Sequence, residues 1–176
     1  MLSPQTLSEA ERRLVAQWAA DCAERVVGLF EAERPGDARA RDTIERARAY
    51  ARGELDTSEE IRRRFGDGGA AKGLSPAAAA AVRAAGQASA VCHMGAHALG
   101  AAAYAAKAAG LAAPERPGAA LDEVAWQLGQ MSPEVRAVLR TLPPLGENRS
   151  GPLGPGLLAS GVLGDMIRAL QAGMRG

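Results

Sequence analysis

An all-α domain of six to seven helices is what this sequence predicts, and three features predict it. Ala supplies 40 of the 176 residues while aromatics are only 3 %, and Ala loses no side-chain entropy on entering a helix. Apolar residues recur at three- and four-residue spacing, with no two-residue alternation and no strand–helix–strand rhythm. Cap signals and Gly/Pro clusters divide the chain at intervals suited to helices. The length fits one domain over 1–176, with a core large enough to need no staple.

Ser8-Glu9-Ala10-Glu11 forms a capping box, with Leu7 placed as its staple residue. Behind it Leu14, Trp18, Cys22, Val26, Leu29 and Phe30 share one helical face, predicting a first helix to about Glu33. Pro35-Gly36 ends it, and Asp37 caps a second helix that turns Ile44, Ala47, Ala51 and Leu55 inward. Ser58 opens a short third helix that stops at Gly66-Asp67-Gly68-Gly69, and a flexible linker is expected over 66–74. Arg62-Arg63-Arg64 reads as a solvated helix end, offset by Glu59 and Glu60.

Ser75-Pro76, an N-cap followed by Pro at the first helical position, opens the longest stretch. It is expected to run to about Ala109 as one central Ala-rich helix of roughly 50 Å, kinked near Gly86, Gly95 or Gly100. A fifth helix follows from about Leu121 to Gln130, and Ser132-Pro133-Glu134 starts a sixth to Leu142. Pro143 to Gly156 holds four prolines and four glycines, which excludes regular structure. A last helix covers about Leu157 to Ala172.

Lys and Arg total 21 against 20 for Asp and Glu. That balance lacks the basic surplus of a dedicated nucleic-acid binder, so no nucleic-acid partner is expected. It equally lacks the acidity that would suit an inhibitor of a basic nuclease. The N-terminus has no basic segment leading into an apolar run. Cys22 and Cys92 are too few and too far apart for a disulfide framework. His93, His97 and Lys107 interrupt the Ala-rich stretch, so no membrane span is expected there. A cytoplasmic protein is the resulting expectation.

On a continuous helix, Ser89, His97, Gly100, Tyr104 and Lys107 all fall within about 40° of His93. This stripe is either a solvated face or the wall of a cleft. Val82 and Leu111 bracket it on the same face, which favours the cleft. Two His one turn apart can chelate a metal, but Met94 stands where a metalloprotease needs Glu, and no third His or Cys-x-x-Cys exists. No metal and no cofactor is therefore expected. His93 and His97 remain candidates for acid–base work near neutral pH, with Tyr104 as a binding group. Either ring could equally be a buried histidine bonded to a neighbour's backbone.

Glu147, Asn148, Arg149 and Ser150 lie between proline-stiffened arms, which can hold polar groups in place at low entropic cost. Arg149 offers a planar fork to a carboxylate or phosphate. The alternative is a loop whose Arg and Glu pin adjacent helices. On the first helix, Asp21 and Arg25 form an i,i+4 pair that is either solvated or flanks a pocket walled by Trp18.

Several passages form a recognisable set. They are Trp18-Ala19-Ala20-Asp21-Cys22-Ala23-Glu24-Arg25-Val26 through Leu29-Phe30-Glu31, then Arg34-Pro35-Gly36-Asp37 with Arg39 and Arg41. The run His97-Ala98-Leu99-Gly100-Ala101-Ala102-Ala103-Tyr104-Ala105-Ala106-Lys107-Ala108 belongs with them. So does Trp126-Gln127 leading to Leu142-Pro143-Pro144-Leu145-Gly146-Glu147-Asn148-Arg149-Ser150-Gly151-Pro152-Leu153-Gly154-Pro155-Gly156. Together they resemble the bacterial immunity proteins of the immunity-protein-five-like kind, small all-α proteins common in actinobacteria. The resemblance implies a self-protection protein that neutralises a toxin or toxic small molecule, with the Glu147–Ser150 loop as its presented surface. Two other readings stay open. One is a cofactor-independent enzyme of specialised metabolism using His93 or His97, and the other a homodimer built on Ala/Gly faces.

Overall fold

The computed structural model describes residues 3–63 and 70–176. The expected linker over 66–74 lies outside the described residues up to 69; Ala70, which follows, is buried. Among the described residues the fold is all-helical and without strands. Its elements are α1 (Glu9–Glu33), α2 (Arg39–Ala51), α3 (Thr57–Arg63), α4 (Pro76–Ala90), α5 (His97–Ala112), α6 (Ala119–Gly129), α7 (Pro133–Arg140) and α8 (Gly161–Arg175). A single 3-10 turn, Leu157–Ala159, precedes α8. No helix of the described residues is long and apolar enough to cross a membrane.

The local signals act largely as the sequence suggests. Ser8 Oγ accepts the Glu11 N–H and Glu11 Oε2 accepts the Ser8 N–H at 2.7 Å, which completes the capping box of α1. The Ser75 and Ser132 hydroxyls cap α4 and α7 by accepting the Ala78 and Val135 N–H groups, each serine being followed by Pro. Asp37 Oδ1 accepts the Arg39 N–H at the start of α2. Leu14, expected inward, is exposed, and Val15 and Ala16 take the core positions beside it. The Leu7 side chain, placed by the sequence as the staple residue, lies against Gly95.

The single long helix is corrected to two. Residues 91–96 leave the helical path, and α5 then packs along α4 in the most extensive helix contact of the fold. The register is antiparallel, with Gln87 of α4 against Gly100 of α5 and Arg83 near Tyr104. The physical reason lies far away in sequence. The Gly95 and Ala96 N–H groups donate to the Thr6 and Gln5 carbonyls, both at 3.0 Å, so the N-terminal arm satisfies donors that a continuous helix would have used itself. Gly95 also leaves room for Leu7, whose Cδ1 would lie 2.3 Å from a Cβ placed there. Among the described residues this division raises the helix number to eight.

The buried centre is α5. Every residue from Ala98 to Ala106 is buried, as expected of a helix that is apolar all round and covered by neighbours. Helices α1, α4, α6 and α8 all pack on it. Near the end of α8's approach, Gly161 adopts φ +55°, which separates the 3-10 turn from α8 where one continuous helix was expected.

Candidate functional site

Trp18 fixes α1 to α6. Its indole N–H donates to the Gln127 carbonyl at 2.9 Å, and the Gln127 side-chain amide donates to the Ala102 carbonyl at 3.0 Å. Three helices are thus held by two buried hydrogen bonds, in surroundings where leaving either group unmatched is costly. Trp18 is buried and forms part of this support; the aromatic wall nearer the surface is another, half-buried residue.

That residue is Trp126. The Arg25 guanidinium lies 4.2 Å from the Trp126 ring centroid, a cation–π contact. The same guanidinium pairs with Glu123 at 3.2 Å, and the Glu123 side chain is only 7 % exposed against 43 % for Arg25. Asp21 does not pair with Arg25. It accepts from Arg48 of α2 at 3.0 Å and from the Gln17 amide at 3.0 Å. Arg48 also holds Glu24 and Glu45. Its guanidinium keeps the Glu24 carboxyl below the usual range, and the carboxylates in turn push the Arg48 pKa up.

Asp21, Glu24, Arg25, Trp126 and Gln130 line an open hollow of about 480 Å³ between α1 and α6. Two of the sequence-derived candidates, Asp21 and Arg25, therefore meet in one concavity. Trp126 of α6 and Gln130 just beyond its end join them, a relationship that no spacing within α1 could disclose.

The predicted stripe is divided by the 91–96 break. Ser89 stays on α4, where its hydroxyl donates to the Gly86 carbonyl at 2.9 Å. His93 sits half-buried in the connection, and His97 half-buried at the first position of α5. His97 Nδ1 lies 2.8 Å from Gln87 Oε1. Gly100 faces the same Gln87, whose Oε1 would be 2.3 Å from an added Cβ. Tyr104 is 4 % exposed; burial pushes its phenol pKa up, and the nearby Arg83 charge opposes that shift. Thus the polar face of α5 is turned to Arg83 and Gln87 of α4. Val82 is buried and Leu111 exposed, so the two do not bracket a common wall. Among the described residues no group of three or more His, Cys, Asp or Glu is placed to hold a metal ion.

The Pro/Gly-rich loop is closed by the Gly146 N–H donating to the Leu153 carbonyl at 2.8 Å. Gly146 and Gly151 have φ +89° and +82°, a region that favours glycine. Gly154 is required for a different reason, since a Cβ there would lie 2.8 Å from the Ser150 backbone. Two glutamines hold the loop to the body. Gln5, 1 % exposed, donates to the Ser150 carbonyl at 2.7 Å and accepts the Leu153 N–H at 2.9 Å. Gln171 accepts the Leu145 N–H at 3.1 Å and donates to the Pro143 carbonyl at 3.0 Å. Glu147 and Arg149 are exposed and Asn148 is half-buried. Pinning is therefore performed by Gln5 and Gln171, and the loop's own Glu and Arg are turned to the surface.

One family model, described as Imm-5 like putative immunity protein, matches residues 5–134. The matched span contains Gln5, both histidines and the whole α1–α6 hollow, and ends before the Pro/Gly-rich loop. No curated protein and no solved structure gives a significant match.

Proposed function

Since the chain belongs to the Imm-5 like immunity protein family, we propose that it protects its producing cell by binding and neutralising a toxin protein in the cytoplasm, through the hollow between α1 and α6. The observation that carries this reading is the Arg25 guanidinium resting on Trp126 and braced by Glu123. Trp and Arg are the residue types that most often dominate binding energy at protein interfaces, and a half-exposed, pre-organised pair loses little freedom on docking. The hollow is open and rimmed by charge, which suits a protruding partner side chain better than an enclosed small molecule. The Glu147–Arg149 loop is a second contact, held rigid while its Glu147 and Arg149 side chains are exposed. The Ala-rich faces of α5 are covered within the chain, so they favour internal packing over a homodimer.

The test is co-expression with toxin domains from the same genome, scored by growth and by co-purification. Protection by the native chain, lost in Arg25→Ala and Trp126→Ala variants that remain folded, is the expected result. Full protection by folded double variants would overturn the placement of the site.

A second reading draws on His97. Its Nδ1 lies beside Gln87 Oε1, a contact that orients the ring and favours the Nδ1–H tautomer when the imidazole is neutral. In that reading His93 and His97 act on a small molecule, and His97→Ala abolishes turnover while leaving toxin binding intact.

A further inference from the structure

Residues 91–96 carry the chain from α4 into the antiparallel α5, and little local chemistry keeps them out of a helix. No proline stands between Pro76 and Pro114, and Ala dominates both sides of the break. Within it the backbone already bonds locally. The His93 and Met94 N–H groups donate to the Ala90 carbonyl, and the His97 and Ala98 N–H groups to the Met94 and Gly95 carbonyls. The Gly95 and Ala96 N–H groups turn away, to Thr6 and Gln5. A continuous helix would return those two donors to the Val91 and Cys92 carbonyls, so straightening the connection leaves neither of them unmatched.

The contact that opposes straightening is itself strained. Leu7, with φ +61°, is the one non-glycine of positive φ among the described residues, a conformation that crowds its Cβ against the backbone. In that conformation its side chain reaches Gly95, where a Cβ would lie 2.3 Å from Leu7 Cδ1. An open hollow of about 450 Å³, bordered by Pro4, Leu7 and Thr141, flanks the arm and brings water to it.

The fold divides at the same place. Helices α1, α2 and α4 pack on one another, as do α5, α6 and α8, and the largest surface between the two sets joins α4 to α5. A short, strained connection between two such sets favours exchange of identical parts between copies. Straightening 91–96 carries α5 away from its own α4 and onto the α4 of a second copy, which covers the same Ala-rich faces again.

We propose that Gln5, Thr6 and Leu7 latch this chain as a monomer, and that lifting the latch lets two copies exchange α5–α8 across one continuous α4–α5 helix. In that dimer α1 of one copy and α6 of the other complete each hollow. Arg25 then meets Trp126 and Glu123 across chains, and the assembly presents the hollow twice.

Full-length native, Gly95→Ala and Leu7→Ala chains are unfolded in urea, refolded at about 0.5 mM and sized by chromatography with light scattering. Gly95→Ala drives a methyl into Leu7 and raises helical preference; Leu7→Ala removes the latch without adding bulk. Each should raise the dimer fraction at least about tenfold over the native chain, because two connections change at once. Leu7→Ala decides the matter should Gly95→Ala fail to fold. Dimer assembled from isotope-labelled and unlabelled chains locates the exchange: the proximity of Gln87 to Gly100 should appear in the between-chain NMR spectrum. A dimer that keeps this proximity within one chain, or folded variants that both stay monomeric, would overturn the proposal. None of these results depends on what the α1–α6 hollow binds.

Discussion

Gln5 and Leu153 are 148 positions apart, yet the Gln5 side-chain oxygen accepts the Leu153 N–H at 2.9 Å inside the protein. The other half of the same amide donates to the Ser150 carbonyl at 2.7 Å, and the Gln5 backbone carbonyl accepts the Ala96 N–H at 3.0 Å. One residue thus joins the N-terminal arm, the start of α5 and the loop before α8.

Replacing Gln5 with Ala should destabilise the chain by about 2–4 kcal/mol, since two hydrogen bonds are lost and the Leu153 N–H is left buried without its acceptor. Urea unfolding measures this. The loop amides at 151–153 should also lose hydrogen-exchange protection selectively; uniform protection across the loop in the variant would contradict the role given to Gln5.

Gly154→Ala should cost about 2–3 kcal/mol. The added methyl meets Ser150 backbone atoms 2.8–2.9 Å away, which cannot rotate aside as a side chain would. Gly156→Ala is the control, because nothing lies within 4 Å of its Cβ position. Thermal unfolding should separate the two variants clearly.

Arg25→Ala leaves Glu123 without its guanidinium in a nearly closed site, and about 1–2 kcal/mol of stability should go with it. Adding Glu123→Gln should restore most of that stability but not protection against the toxin. Recovery of both would mean that Arg25 serves the fold alone.

The Arg39 guanidinium, followed by the Arg39 backbone N–H, holds the Asp37 carboxyl down at about 2 from an ordinary 3.8. Its folded value is depressed, so its stabilising contribution is present above the unfolded value and disappears as pH falls through about 2. Carboxyl NMR titration should show a midpoint near that value, and Arg39→Gln should move it upward.

Burial, reinforced by the Glu123 and Asp21 charges, pushes the Cys22 thiol well above its usual pKa. Cys92 is also buried. Native protein near pH 8 should therefore react negligibly with a disulfide reagent, and unfolded protein should titrate the chain's 2 cysteines. Rapid native labelling would place a thiol outside the core.

Local chemistry determined much of this molecule. Ser8, Ser75 and Ser132 mark helix starts because a hydroxyl satisfies donors only two or three residues ahead. The spacing of Trp18, Cys22 and Val26 marks a buried face because helical geometry is set by the backbone alone. Such interactions lie within one turn, and the sequence shows them directly. The α4–α5 break, the retention of Gly100 against Gln87, and the gathering of Arg25, Glu123 and Trp126 depend on partners tens of residues away. Ala-rich helical preference runs straight through residues 91–96, and only the arm carrying Gln5 and Thr6 supplies the competing hydrogen bonds that end it. Tertiary structure decided which polar groups meet, because a buried hydrogen bond is specified by three-dimensional proximity and not by position along the chain.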